Sequence, residues 1–161
     1  MKTTDRQSAF TLVELMVALL ASSVLLLLVA TILIITLNSW RTNNAYTDLR
    51  RDAAFAINIM ARDIREAAPS GLFAAGTDTL TVSNAVRDYV STYTRNSETE
   101  VLSLTRTDNA NVQILAANVQ AFAATPQNIS GAVDGVILRL EMMSGSTGVA
   151  VTNETYVHMR N

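Results

Sequence analysis

The longest hydrophobic pattern in this chain lies near its N-terminus. Residues 10–37 are 28 consecutive positions with one charged side chain, Glu14, and with neither glycine nor proline. A helix that crosses a bilayer needs about 20 apolar residues, so this run is long enough to do so. A carboxylate inside such a run costs about 3 kcal/mol on insertion scales. The pattern therefore predicts a membrane-spanning helix over residues 10–37 and makes Glu14 a candidate functional residue.

Helical periodicity continues beyond the apolar run, but there only one face of the helix is apolar. At steps of three and four residues the apolar stripe is formed by Leu49, Ala53, Ala56, Ile57, Met60 and Ile64. The polar residues expected to lie mostly away from it are Arg50, Asp52, Asn58, Arg62, Asp63, Arg65 and Glu66. Because Pro69-Ser70-Gly71 ends the pattern, we predict an amphipathic helix over residues 38–68, continuous with the first.

After Gly71 the hydrophobic period changes from near four to two, which predicts a β-rich head over residues 69–161. The expected strands are Thr79–Ser83, Val101–Arg106, Val112–Leu115, Val119–Ala123, Val136–Met143 and Thr155–Arg160. The expected turns are Asp108-Asn109, Pro126-Gln127-Asn128, Asp134-Gly135 and Ser144 to Gly148. In the fifth strand Leu138, Leu140 and Met142 alternate with Arg139 and Glu141. We therefore predict an α+β fold in which an antiparallel sheet packs on the amphipathic half of the helix.

Several kinds of segment could account for the apolar run. A cleaved secretory signal has an apolar region of about 7–15 residues, roughly half the length seen here. A buried core helix would need more surrounding chain than the remaining residues supply. A simple single-pass anchor, with Glu14 close enough to the interface to reach water, stays open. Basic residues both precede and follow the run, so charge alone does not orient it.

The local sequence supports a more specific interpretation. A polar leader, residues 1–9, meets Phe10-Thr11-Leu12-Val13-Glu14-Leu15 without a spacer. This resembles the class III signal of the type IV pilin superfamily, in which a prepilin peptidase cuts after a small residue and the new N-terminal residue is N-methylated. The resemblance implies cleavage between Ala9 and Phe10, methylation of Phe10, and Glu14 at mature position five. The residue before the cut is usually Gly, so Ala9 departs from the family pattern while remaining small.

The same resemblance implies a role for the glutamate and a set of partners. In pilins the glutamate of one subunit meets the N-terminal amine of its neighbour, so Glu14 would set the register between subunits. The expected partners are other pilin or pseudopilin subunits, prepilin peptidase, the inner-membrane assembly platform and the lipid bilayer. The chain would be an inner-membrane precursor with a cytoplasmic leader and a periplasmic head, which later joins a pilus or pseudopilus.

Two further segments narrow the resemblance to a subgroup. The stem segment Ala61–Ala67 and the terminal strands, including Val136–Leu140, are similar to PilW-type minor pilins and J-type pseudopilins. The helix also lacks the breaking Gly or Pro that many pilins carry in this region. A stiffer helix favours a scarce, priming or terminal subunit over the main repeating one.

The charges of the stem alternate in sign along the chain, as is usual for a helix face in contact with water. The alternative interpretation is that these charges form salt bridges between subunits.

The remaining side chains offer no catalytic, cofactor or metal site. Cysteine is absent and the formal net charge is -2, so neither a thiolate site nor a general basic field is present. His158, the single histidine, is expected on a polar strand face without a carboxylate partner. Thr107–Asn111 has alternating oxygen ligands but lacks the Gly and Glu of a calcium loop, which favours a plain turn.

Three arginines of the head, Arg87, Arg95 and Arg106, could form a basic patch, but aromatic residues are not interleaved with them in a way that would support nucleic-acid binding. Scattered solvated charges are the preferred interpretation, and nucleic acid is not an expected partner. The sequence thus predicts a non-enzymatic structural subunit. The alternative is an unprocessed single-pass membrane protein whose β-rich head binds a ligand or nucleic acid.

Overall fold

The computed structural model describes residues 11–67, 73–84, 88–108, 111–129 and 132–159. One helix, α1, spans Leu12–Glu66. Eight strands follow it: β1 Phe73–Ala75, β2 Thr79–Asn84, β3 Tyr89–Asn96, β4 Val101–Arg106, β5 Val112–Ala116, β6 Val119–Ile129, β7 Ala132–Met143 and β8 Ala150–His158. The predicted end of the helix at Pro69-Ser70-Gly71 lies outside the described residues.

The first of two compact units ends at Arg41 and contains the apolar half of α1. Its described side chains are exposed in the isolated chain. The hydroxyls of Ser22, Thr31 and Thr36 each donate to a backbone carbonyl oxygen four residues earlier, at 2.8 Å. Polar groups satisfied within their own helix are what a lipid environment requires. By length and composition, α1 is able to cross a membrane.

The second compact unit, residues 42–161, contains the rest of α1 and two antiparallel sheets. The five-stranded sheet has the order β1-β2-β3-β4-β5, and the three-stranded sheet has the order β6-β7-β8. The fold is α+β, with a helix packed on a β-sheet head, as the hydrophobic pattern predicted. The strands of this head divide into two antiparallel sheets, a division that the hydrophobic pattern did not specify.

The core of this unit forms where the apolar stripe of α1 meets both sheets. All six residues of the predicted stripe are buried, none of them more than 6% exposed. They share one hydrophobic cluster with Leu80 and Leu104 of the larger sheet and with Leu138 and Leu140 of the smaller one. The predicted alternation in β7 is confirmed, since Leu138, Leu140 and Met142 are buried whereas Arg139 is exposed.

The sequence patterns located most strands but missed two. β1 has only three residues, too few for alternation to be visible. β3 was missed because its inward positions, Tyr89, Ser91 and Tyr93, include polar groups although all three are buried. Its content of aromatic and β-branched residues was the available signal.

Two predicted turns are wrong, because the structure places them inside strands. Pro126 lies in β6 opposite Val136, and β6 is an edge strand of its sheet, where proline is tolerated. Gly135 lies in β7, where a Cβ would come within 2.6 Å of the Val157 carbonyl oxygen and would also meet the ring of Tyr156. This glycine permits a close cross-strand contact rather than a turn. The turn at Ser144 to Gly148 is confirmed, with Gly148 at φ 67°.

The two sheets meet around Asp78, a non-glycine residue in the left-handed region with φ 64°. The Asp78 amide donates to the Phe122 carbonyl oxygen at 2.9 Å, which links it to β6. Arg95 of β3 donates through Nη1 to the Asp78 carboxylate at 3.0 Å and through Nε to the Val119 carbonyl oxygen at 2.7 Å. The backbone strain at Asp78 is therefore offset by bonds that join β3 to β6.

The largest correction concerns Asp63, which was expected to lie away from the apolar stripe and is fully buried. Its Oδ2 accepts hydrogen bonds from the Ser91 and Tyr93 hydroxyls, each at 2.7 Å. Arg106 of β4 donates to the same oxygen at 3.2 Å. The guanidinium of Arg106 also lies 5.0 Å from the ring centroid of Tyr89. A buried carboxylate is tolerated when its charge and lone pairs are satisfied in this way.

Truncation of this carboxylate tests how strongly the cluster ties α1 to the sheet. Asp63→Ala leaves Arg106 without its partner and two buried hydroxyls without an acceptor, so we expect a loss of about 3 kcal/mol in the free energy of unfolding. The exposed Asp48, 3.9 Å from Arg51, is the matched control, and Asp48→Ala should change stability by less than about 0.5 kcal/mol. Urea unfolding of the full chain in detergent micelles, followed by near-UV circular dichroism, measures the free energy of unfolding of both variants. Equal losses in the two variants would contradict the tying role of Asp63.

The same cluster predicts an alkaline loss of stability. Burial, followed by the charge of Asp63 and the hydrogen bond to it, raises the pKa of Tyr93. Because the folded state holds this proton more tightly, the contribution is fully present below the unfolded pKa of about 10 and is lost as pH rises above it. Over that range the Tyr93 contribution should fall by about 1.4 kcal/mol per pH unit. Urea unfolding between pH 9 and 11.5 gives the slope of the free energy of unfolding against pH for the native chain and for Tyr93→Phe. The difference between the two slopes isolates the contribution of Tyr93. Identical slopes would refute the assignment.

Candidate functional site

Glu14 lies in the first turn of α1, where it forms a capping box with Thr11. The Glu14 Oε2 accepts hydrogen bonds from the backbone amide and from the hydroxyl of Thr11, each at 3.0 Å. In return the Glu14 amide donates to the Thr11 Oγ1 at 3.3 Å. The motif Thr-x-x-Glu is the sequence signature of this arrangement, in which two free amides at a helix start are satisfied reciprocally. This signature is visible in the sequence as Thr11-Leu12-Val13-Glu14, although it was not among the predicted features.

The cap explains how a carboxylate is held at the start of an apolar helix. A negative side chain in the first turn also interacts favourably with the helix dipole. Both Thr11 bonds fall on Oε2, and the second oxygen, Oε1, accepts no hydrogen bond from any other described residue. Glu14 is exposed in the isolated chain. The carboxylate is thus fixed in orientation through its Oε2 atom.

Of the three residues predicted for the site, only Glu14 is described by the structure. Ala9 and Phe10 lie outside the described residues, so their roles as the cleavage and methylation positions stay predictions. Phe10 precedes the N-cap residue Thr11 directly in sequence. A chain that began at Phe10 would therefore carry its terminal amine one residue before the capping box.

Comparison with known proteins supports the N-terminal assignment. Residues 4–30 match the family model of the prokaryotic N-terminal methylation motif. The matched range includes the predicted junction at Ala9 and Phe10 and extends well into α1. The chain carries a type IV pilin-like prepilin signal at the start of an apolar helix, as expected of a membrane-anchored precursor of the pilin type. No curated protein and no solved structure matched the chain.

The other side chains singled out in the sequence have structural partners. His158 is exposed, as expected, but its Nε2 lies 3.1 Å from the Asp134 Oδ1. The prediction that no carboxylate accompanies it was therefore wrong. Tyr156 donates to the Asp134 Oδ2 at 2.9 Å and contacts the His158 ring edge-on. This group sits on an exposed strand face, and the hydrogen bond raises the pKa of Tyr156.

Two of the three head arginines differ from the prediction of scattered solvated charges. Arg95 and Arg106 are mostly buried and are paired with Asp78 and Asp63, respectively, so they are not scattered solvated charges. Arg87 lies outside the described residues. Within the described ranges no group of three His, Cys, Asp or Glu side chains could hold a metal ion. The Thr107–Asn111 loop is described only in part, since Asn109 and Ala110 fall outside those ranges.

Proposed function

We propose that this chain is a non-enzymatic structural subunit, a minor pilin or pseudopilin, that primes or caps a type IV pilus or a type II secretion pseudopilus. The observation that carries the proposal is the prepilin signal over residues 4–30, placed directly before a helix able to cross a membrane. The half-satisfied carboxylate of Glu14 supports it further. Similarity of the stem and the terminal strands to PilW- and J-type proteins favours the minor-subunit assignment.

Assembly would depend on a charge created by processing. Peptidase cleavage after Ala9 releases an amine on Phe10, which the enzyme then methylates. In a filament the amine of one subunit would meet Glu14 of its neighbour, in a setting where water is scarce and Coulomb attraction is strong. The Thr11 cap holds Oε2, and Oε1 is the oxygen that would receive the neighbour's amine. The attraction declines with distance, so the pair favours one axial stagger between neighbouring helices.

The apolar half of α1 would supply most of the packing energy and would hold the precursor in the inner membrane before assembly. The head, built on the amphipathic half of the helix, would face the periplasm and meet neighbouring subunits. Its arginines Arg95 and Arg106 are held in internal ion pairs, which argues against a nucleic-acid surface. No reactive group of side chains in the described residues supports catalysis.

The mature N-terminus decides between this proposal and an unprocessed membrane protein. The full chain is expressed with and without a prepilin peptidase, purified in detergent and analysed by mass spectrometry. We expect the terminal peptide to start at N-methylated Phe10 only when the peptidase is present. Ala9→Gly, which restores the usual residue before the cut, should be processed at least as completely. An intact leader in both chains would refute processing and favour the single-pass alternative.

Three variants separate the register role of Glu14 from its role as a helix cap. Glu14→Gln keeps an oxygen that can accept the Thr11 bonds but removes the charge, whereas Thr11→Val removes the side-chain cap and keeps the charge. If the charge sets the register, Glu14→Gln and Glu14→Ala should still insert and be cleaved normally. Their incorporation into the assembly should fall by about tenfold or more. The reason is that the neighbour's amine would then be a buried charge without a partner, which costs at least about 1.4 kcal/mol.

Thr11→Val is the matched control, because loss of a cap costs about 1 kcal/mol of helix stability without touching the charge. This variant should retain most of its incorporation, measured by quantifying the chain in sheared filaments or cross-linked pseudopili. Normal assembly of Glu14→Gln would show that the charge has no register role, and equal failure of Thr11→Val would show that the helix cap is required as well.

A further inference from the structure

The larger sheet carries no charged side chain on its outer face. The inward positions of its strands, among them Leu80, Tyr93 and Leu104, belong to the core cluster, so alternate residues point to the opposite face. Charged residues ordinarily lie on the exposed side of a protein. In these strands the charged residues, Arg95 and Arg106, instead lie on the inner side in ion pairs. The outward residues of β2–β5 are Thr79, Thr81, Ser83, Val90, Thr92, Thr94, Asn96, Val101, Ser103, Thr105, Val112 and Ile114.

Side chains with hydroxyl groups form two rows across three strands of this face. Neighbours within a row lie about 4.8 Å apart and the two rows lie about 6.8 Å apart, as strand geometry dictates. The edge strand β5 continues the rows with Val112 and Ile114, each 65% exposed. We call this array the hydroxyl face; its first row is Thr81, Thr92 and Thr105, and its second row is Thr79, Thr94 and Ser103.

The hydroxyls of this face are held in place but are mostly unused within the chain. Ser103 donates to the Thr94 carbonyl oxygen at 3.2 Å. The threonine hydroxyls of the face make no hydrogen bond to another residue in the part of the chain that the structure describes. Because threonine is branched at Cβ, its χ1 angle is restricted and its hydroxyl occupies few positions. A surface that is already ordered loses little side-chain entropy when it binds a ligand.

The composition of the hydroxyl face argues against the common macromolecular partners. Nucleic acids and anionic lipids are bound through lysine and arginine, and neither is present among the outward residues of β2–β5. Protein interfaces depend on Trp, Tyr and Arg, whereas Ser, Thr and Val are under-represented among the residues that contribute most. A purely apolar partner would bury the hydroxyls without hydrogen bonds, which is costly. A suitable partner is therefore uncharged and brings hydrogen-bonding groups of its own.

We propose that the hydroxyl face binds a neutral polysaccharide. Such a polymer presents hydroxyl groups at a regular repeat and apolar C–H groups on its ring faces. Each threonine offers the matching pair, a hydroxyl that both donates and accepts and a methyl group. Val112 and Ile114 extend the apolar contact at the sheet edge. One hydroxyl contact is weak, but a repeating polymer engages several at once, so that their contributions combine.

Sedimentation with insoluble polysaccharides tests the proposal. The full chain is purified in a polyoxyethylene detergent, because the sugar headgroup of a maltoside or glucoside would compete. It is mixed with microcrystalline cellulose, chitin or insoluble starch, or with calcium alginate beads as the anionic comparison, and the unbound chain is measured after pelleting. We expect saturable binding to at least one neutral polymer and weaker binding to alginate, since the hydroxyl face carries no cation.

Threonine-to-valine changes isolate the role of the hydroxyls. Valine has nearly the same shape as threonine and a high strand propensity, so the sheet is retained while the hydroxyl is lost. The triple variant Thr81→Val, Thr92→Val and Thr105→Val removes the first row and should weaken binding by about tenfold or more. Thr92→Val alone should cause a smaller loss. The matched control, Thr125→Val with Thr152→Val, makes the same change at exposed positions of the smaller sheet and should bind as the native chain does.

Circular dichroism compares the fold of each variant with that of the native chain. The proposal is overturned if no neutral polymer binds saturably, or if alginate binds more tightly than all of them. Unchanged binding by both Thr92→Val and the triple variant would overturn it too, as would an equal loss in the control variant. The leader and Glu14 play no part in this assay, so its outcome is independent of the proposed function.

Discussion

A carboxylate removed from water must find a partner, and α1 carries two that face this constraint. Asp63 is fully buried in the head and is satisfied by two hydroxyls and Arg106. Glu14 lies in the apolar run and is satisfied at one oxygen by Thr11. The first charge is compensated entirely within the chain, which fixes where the helix meets the sheet. The second is held by Thr11 at Oε2, and in the proposed assembly a neighbour's amine would complete its compensation.

The two carboxylates of α1 therefore have different roles: Asp63 acts in folding, and Glu14 would act in assembly. A paired internal carboxylate fixes register at the cost of desolvation, so its value lies in specifying one packing of helix on sheet rather than in added stability. In a membrane the same argument applies between chains, because apolar helix faces can slide past each other with little change in contact area. A charge pair restricts that sliding. In the proposed assembly the apolar residues of α1 would favour association, and Glu14 would select the stagger at which it occurs.

The sequence predicted those parts of the fold that depend on hydrophobic periodicity. The stripe from Leu49 to Ile64 and the alternation in β7 follow from which side chains avoid water, and the structure confirms both. The errors arose where polar groups are buried. Asp63 lies three residues after Met60 and seven after Ala56, a spacing that fits the buried face, but its charge alone suggested an exposed position. β3 was missed for the same reason, because Ser91 and two tyrosines occupy its inward positions and complete the Asp63 cluster. A buried polar group can be recognised only when its partners are known, and these lie 28 to 43 residues away.

The prepilin signal was accessible to sequence reasoning because it is contiguous and its chemistry is local. The β5 edge was not, since strand order and exposure depend on the complete topology. A contiguous motif depends on the chemistry of one segment, whereas a strand edge is defined by which segments pair with one another, and that pairing is set by the whole fold.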